Sequence, residues 1–251
     1  MVSSGNVRSS VHQYGLRRLY QCIQCDNSDA RRCEDISGRI SFVLVYAIKD
    51  LIMSEEKVLY INACVRADSR TKIIADGLIL QFSGSVTELR LSDIVFPKVD
   101  ESFLLKRDRL IAEHKLDDPM FDLAGQFAGA DTIVIAAPFW DLSFPAALKQ
   151  YIEQINVVGI TFEYTGEGIP RGLCAAKRLY YVATAGGDFF PEDYGYGYVR
   201  ALAQNFYGIQ DVRLIKATGL DIMGADVDKI IKDTLDETTH DRIRKFSLDR
   251  D

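Results

Sequence analysis

Residues 131–137 read DTIVIAA, and the run stops at Pro138-Phe139-Trp140. A continuous, β-branched apolar run of this kind does not alternate between a wet and a dry side. It reads as a strand buried on both faces, which occurs almost only in parallel sheets covered by helices. The chain from Lys57 onward supplies the rest of such a sheet. Lys57–Ala63 (KVLYINA), Val86–Leu91 (VTELRL), Lys177–Thr184 (KRLYYVAT) and Asp211–Thr218 are the other strand segments. Helical segments lie between them: one from Thr71 through Phe82, a charged one over 101–114, and one begun by Asp117-Asp118-Pro119 and running to Phe127. Others span about 196–207 and 226–235. The clearest helix covers Ser143–Asn156, with Phe144, Ala147, Leu148, Tyr151, Ile152 and Ile155 on one face and Pro145 in its first turn. A short extended piece at 160–164 precedes a glycine-rich loop over Gly166–Gly172. Strands alternating with helices predict an α/β fold: a doubly wound, five-stranded parallel sheet with helices on both faces.

Composition narrows the partners. The 251 residues are 47% hydrophobic and carry a net charge of −6, so there is core enough for one domain and no broad basic surface for nucleic acid. The longest apolar run, SFVLVYAI at 41–48, falls well short of the roughly 20 residues that span a bilayer, so no membrane span is expected. Five cysteines at irregular spacing do not form a disulfide framework and suggest a reducing, cytoplasmic setting. Three histidines lie far apart with no HExxH pairing, so no metal site is expected.

Residues 1–52 differ from the remainder. They carry a net charge of +2 against −8 for the rest, hold three of the five cysteines, and show no sustained period before Ile40. One reading makes them an upstream extension that adds no folded function, with the working protein starting at Met53. A second makes them a targeting segment, since Arg8, Arg17 and Arg18 lie among serines with no acid before Asp26. A third makes them a packed appendage; its Cys22–Cys25 CxxC lacks the context of a redox or zinc motif. The expected division is therefore 1–52 as an extension and 53–251 as the functional domain.

In doubly wound sheets ligands bind beyond the carboxyl ends of the strands. Three loops fall there. Cys64–Thr71 (CVRADSRT) runs into a helix start, where free amide groups, the hydroxyls of Ser69 and Thr71 and the charge of Arg70 suit an anion. Pro138, Phe139, Trp140, Asp141 and Leu142 place two aromatics at a strand end, which suits a flat apolar ligand. Thr184, Ala185, Gly186 and Gly187 allow close backbone approach to a polar edge. Each loop alone has a plainer reading: a capped helix, a tryptophan packed in the core or at a subunit contact, a glycine turn. Together they have the shape of a mononucleotide site.

The motifs SRT at 69–71, PFWDL at 138–142, LKQYIEQI at 148–155, GITFEYT at 159–165, GLC at 172–174, TAGG at 184–187 and YGIQDV at 207–212 resemble the flavodoxin-like NAD(P)H:quinone oxidoreductase and FMN-dependent NADH-azoreductase family. The resemblance covers residues 57–224. It implies a flavodoxin-like fold, FMN as cofactor and NAD(P)H as electron donor. It also implies a homodimer with the site near the subunit interface, and ping-pong, two-electron reduction of quinone or aromatic azo acceptors. Ser69, Arg70 and Thr71, beside Cys64, would hold the FMN phosphate. Pro138–Leu142 would line the isoalloxazine, and Thr184–Gly187 would hold its edge. Trp140, Phe162 and Tyr164 would shape the substrate pocket, with Tyr164 able to hydrogen-bond a substrate oxygen. No side chain is obliged to act as acid or base. Three positions depart from the family: it often has serine at Cys64, asparagine at Asp141 and arginine at Ala185. The competing readings are an electron carrier without NAD(P)H turnover, a hydrolase, and a flavin-free module that grips a partner protein.

Overall fold

The structure, a computed structural model, describes residues 56–248. The readings of residues 1–52, the CxxC pair included, lie outside the described residues. Five parallel strands form one sheet: Lys57–Asn62 (β1), Ser85–Arg90 (β2), Thr132–Ala136 (β3), Arg178–Thr184 (β6) and Asp211–Ala217 (β7). Two three-residue strands, Phe162–Tyr164 (β4) and Pro170–Gly172 (β5), pair antiparallel in a separate hairpin. The helices are Arg70–Ile79 (α1), Glu101–Ala112 (α2), Asp122–Ala128 (α3), Ala146–Ile155 (α4), Tyr196–Leu202 (α5) and Val227–Leu248 (α6).

The sheet order is β2-β1-β3-β6-β7. From β1 the chain steps outward to β2, then crosses back to lay β3 on the other side of β1. The direction of winding therefore reverses between β1 and β3, the place where such sheets bind ligands. β3 is buried along its whole length, as its sequence demands. Successive residues feed two cores. Leu59, Ile61, Ile133, Ile135, Leu179 and Tyr181 face one layer, packed with Phe127 of α3, Leu148, Tyr151 and Ile155 of α4, and Val199 of α5. Val58, Tyr60, Val134, Ala136, Tyr180 and Val182 face the other, packed with Ile74 and Leu78 of α1 and, more loosely, Ile230 and Ile231 of α6. Helices cover both faces of the sheet.

Three local expectations are revised. The helix expected from Ser143 begins at Ala146, because Pro145 is extended (φ −54°, ψ 141°) and caps the helix from outside. The glycine-rich loop after residue 165 is half of a hairpin, with Thr165 accepting at its hydroxyl from the amides of Glu167 and Ile169 to close the turn. The final helix continues past Leu235 to Leu248. The acidic start at Asp118 holds: its carboxylate accepts from the Met120 amide at 2.9 Å, and Pro119 opens a short 3-10 turn that leads into α3.

Candidate active site

Thr184, the last residue of β6, ties the three carboxyl-edge loops together. Its hydroxyl lies 2.6 Å from that of Thr71, a fully buried residue in the first turn of α1. Its carbonyl accepts from the amide of Phe139 at 3.0 Å. One residue thus joins the start of α1, the loop after β3 and its own loop. Ser69 caps α1 with an extended backbone, its hydroxyl accepting from the Lys72 amide at 3.4 Å. The amides of Arg70 and Thr71 precede the first intrahelical bond and point out of the helix end, where they favour an anion.

The loop after β3 is a tight two-residue turn. Trp140 and Ser143 exchange backbone bonds at 3.2 and 2.7 Å, and the two residues between them have left-handed φ, 50° at Asp141 and 67° at Leu142. Positive φ at both central positions is the pattern of a type I′ hairpin turn, which favours asparagine, aspartate or glycine. Asp141 suits that backbone, and the residue lies exposed. Leu142 holds a conformation that bulky residues rarely adopt, and such strain collects at functional sites. Phe139 packs on Phe190 with ring centroids 4.6 Å apart. Lys216 lies over the Phe190 ring and pairs with Glu192 at 2.6 Å. That stack fixes the base of the turn and leaves Trp140 at its tip 41% exposed.

The loop after β6 is held from behind. The carbonyls of Ala185, Gly186 and Gly187 accept from the amides of Leu220 (3.3 Å), Asp221 (2.8 Å) and Gly219 (3.1 Å). The amides of Gly186 and Gly187 make no hydrogen bond among the described residues. A Cβ on Gly187 would meet nothing within 4 Å, so this side of the loop is open. The start of α1, the exposed Trp140 and the two unbonded amides of Gly186 and Gly187 thus all lie at the carboxyl edge of the sheet. A family model described as a flavodoxin-like fold matches residues 56–240. The chain belongs to the flavodoxin-like family.

Its relatives within the family are consistent in name. The FMN-dependent NADH:quinone oxidoreductase of Clostridium beijerinckii is 38% identical over 190 residues, covering 72% of this chain and 95% of that protein. An FMN-dependent NADH:quinone oxidoreductase of Clostridium acetobutylicum is 38% identical over 192 residues, with the same coverage. Among solved structures, an azoreductase from Bacillus anthracis superposes with a TM-score of 0.63 at 24% identity, covering 73% of this chain and 96% of that one. An FMN-dependent NADH-azoreductase from the same species, in complex with FMN, gives 0.62 at 24% identity, covering 75% and 99%. These two share the fold.

Within this flavodoxin-like frame, some expected residues sit elsewhere. Phe162 and Tyr164 are not brought to Trp140 in one chain. They lie on the β4–β5 hairpin, where Phe162 packs on Phe206 (5.0 Å) and Tyr164 (5.5 Å). Ala175, just past the hairpin, bonds Ala128 directly before β3 begins. The hairpin is therefore at the amino-terminal edge of the sheet, the far end from the three loops. The reason is topological: α4 carries the chain back along the sheet before the hairpin forms. Arg70, expected to lend its charge to an anion, instead directs its guanidinium to the Asp221 carboxylate (2.7 Å) and the Leu220 carbonyl (3.1 Å). Cys64 is buried, its amide donating to Asn62 Oδ1 at 2.9 Å. Burial pushes its thiol up, against the pull of Ser69 and Lys72, so it stays protonated at neutral pH. It is a small, neutral group, as a serine would be. Ala185 is buried and its amide donates to the Ala217 carbonyl.

Two contributors escaped the sequence reading. Asn62 is buried at the end of β1, orienting the Cys64 amide and donating to Glu88 Oε1 at 2.8 Å. Burial pushes the Glu88 carboxyl up, but the hydrogen bonds from Asn62 and Arg90 outweigh it and the net shift is downward. The loop after β7, residues 218–224, is the other. A buried asparagine between two strand segments is a visible signal, whereas nothing in TGLDIMG marks it as a support. Among the described residues no group of three or more His, Cys, Asp or Glu could hold a metal, and no helix is long and apolar enough to cross a membrane.

Proposed function

We propose that this chain is an FMN-dependent NADH oxidoreductase that reduces quinones by two electrons in a ping-pong cycle, with aromatic azo compounds as a further acceptor class. The observation that carries this reading is the joining of three complementary loops through Thr184 at the switch point of the sheet. The names of relatives 38% identical over nearly their whole length agree with it.

The residues present fit FMN. The Arg70 and Thr71 amides with the Ser69 hydroxyl suit its phosphate. The exposed face of Trp140 suits its ring, and the amides of Gly186 and Gly187 suit the polar edge of that ring. When bound, FMN supplies the hydride chemistry, accepting from NADH and passing electrons to the second substrate. The protein's part is placement. The strained turn at 141–142 sets Trp140 at the strand end, and the Phe139–Phe190 stack anchors the residue before it. No carboxylate, cysteine or histidine is required as acid or base.

The finer assignments follow the same line. NADH is the donor in the relatives' names, and the Arg70 guanidinium is already engaged by Asp221, which removes one candidate for a 2′-phosphate. Trp140 and Leu142 at the mouth, and Tyr164 and Ile169 on the hairpin, stay exposed in one chain, which supports a homodimer in which Tyr164, backed by the buried Phe162, approaches the pocket of the other subunit. Free thiols at Cys64 and Cys174 suit a reducing, cytoplasmic setting. A working domain of 53–251 is consistent with the family match over residues 56–240.

Purification is the first test. The protein should be yellow or take up FMN one to one, and then oxidise NADH with menadione. A colourless protein that quenches no added FMN fluorescence sinks the reading. An electron carrier would instead be reduced by NADH only slowly in stopped flow.

A further inference from the structure

Arg70 and Asp221 stand 151 positions apart in sequence, yet one nitrogen of the guanidinium bonds both the Asp221 carboxylate (2.7 Å) and the Leu220 carbonyl (3.1 Å). Arg70 is the first residue of α1, where the phosphate cradle lies. Leu220 and Asp221 are the residues whose amides hold the carbonyls of Ala185 and Gly186. A Cβ on Gly186 would overlap the Asp221 carboxylate, so the glycine is needed to let that side chain lie against the loop. The order of contact is unbroken. The cradle end of α1 holds the 220–221 turn. That turn pins the back of the 185–187 loop and so turns the amides of Gly186 and Gly187 toward the mouth.

We propose that Asp221 is a positioning residue: with Arg70 it forms a strut that sets the spacing between the phosphate cradle and the amide edge, so that both ends of a bound FMN are held together. The inference rests on the FMN reading above. Both side chains are substantially exposed, 39% for Arg70 and 69% for Asp221, so the pair adds little to global stability. Its effect is local. The two loops leave different strands, β1 and β6, and the side-chain bond between Thr71 and Thr184 is a further link between them. Losing the strut lets the edge loop move relative to the cradle, and a ligand that spans both then pays for ordering it.

A different role for the same pair gives the opposite sign. If Asp221 merely stored Arg70 until a phosphate arrived, removing the carboxylate would free the guanidinium and tighten FMN. The test uses the full chain, stripped of flavin, titrated with FMN by fluorescence quenching. Asp221→Asn and Arg70→Gln should each raise the FMN dissociation constant about five-fold, the scale of one exposed ion pair. The double variant should be no worse than Arg70→Gln alone, because the Arg70–Asp221 bond is already lost there. Arg70→Lys should recover most of the loss, since an ammonium still reaches Asp221. In the flavin-free protein, hydrogen exchange over 184–188 should quicken in Asp221→Asn while the melting midpoint holds. Unchanged or tighter FMN binding in Asp221→Asn overturns the strut. So does an additive double variant, or weaker binding with unchanged exchange over 184–188. A wild-type protein that binds no FMN refutes the flavin reading itself, and the exchange measurement then still decides whether the strut exists.

Discussion

At the scale of single residues, Asp141 tests whether backbone conformation or side-chain charge decides a position in the proposed site. A carboxylate near a flavin would oppose negative charge on the reduced ring, and from sequence that looks like a defect. The backbone supplies the answer: φ is 50° at Asp141 and 67° at Leu142, so the position selects for tolerance of left-handed geometry, which asparagine and aspartate share. Asp141→Asn should therefore leave the FMN dissociation constant within about two-fold. Asp141→Val should weaken binding and lower stability by about 1–2 kcal/mol, because a β-branched side chain resists that backbone. Titration and thermal unfolding of the pair would decide, and a ten-fold change in the asparagine variant would mean that the charge itself acts on the flavin. Cys64 follows the same logic. Burial raises its thiol, and Cys174 is pushed up to about 12 by burial alone, so neither should react readily with iodoacetamide at pH 7 in the folded protein.

At the scale of elements, β1, β3 and β6 were legible because each is a short apolar run with turn residues after it, and β3 could be little else. The three site loops were legible as strand ends. Their supports were not. The Arg70–Asp221 and Thr71–Thr184 bonds join residues 151 and 113 positions apart, and the 219–221 amides act through backbone, which leaves no mark in side-chain type. The hairpin was missed for a related reason: Gly166–Gly172 looks like a loop, yet Gly172 is glycine because β5 runs directly against the backbone of Tyr207 and Gly208. Since that clash is with main chain, Gly172→Ala should cost about 2–3 kcal/mol in denaturant unfolding. A loss below about 0.5 kcal/mol would show that the hairpin docks loosely. At the same edge of the sheet, Asp211 of β7 accepts from Arg178 of β6 and from Arg213. Burial pushes its carboxyl up, but the two guanidinium groups outweigh it and hold it well below its ordinary 3.8. A carboxyl lowered by folding contributes its full stability above about pH 4 and loses it as pH falls through the lowered value. Asp211→Asn should thus destabilise by about 1–2 kcal/mol at pH 7, allowing for partial solvent screening. That gap to wild type should narrow when urea unfolding is repeated at pH 3; a constant gap would mean the ion pairs are not its source.

At the scale of the whole molecule, the residues of the proposed pocket divide between the two ends of the sheet. Trp140 stands at the carboxyl edge of the sheet and Tyr164, 53% exposed, at the amino edge. In the homodimer proposed above, the hairpin of one copy would sit at the mouth of the other. The arrangement makes a quantitative prediction. If Trp140→Ala and Tyr164→Ala each impair NADH:menadione turnover, mixing the two proteins under subunit exchange should restore activity. Each heterodimer would carry one doubly damaged site and one intact site. With half of the dimers mixed and half of their sites whole, recovery should approach about a quarter of the wild-type rate. Activity that stays at the mean of the two parents, in a sample shown by sedimentation to contain mixed dimers, would mean that each subunit builds its pocket alone and that Tyr164 has no part in it.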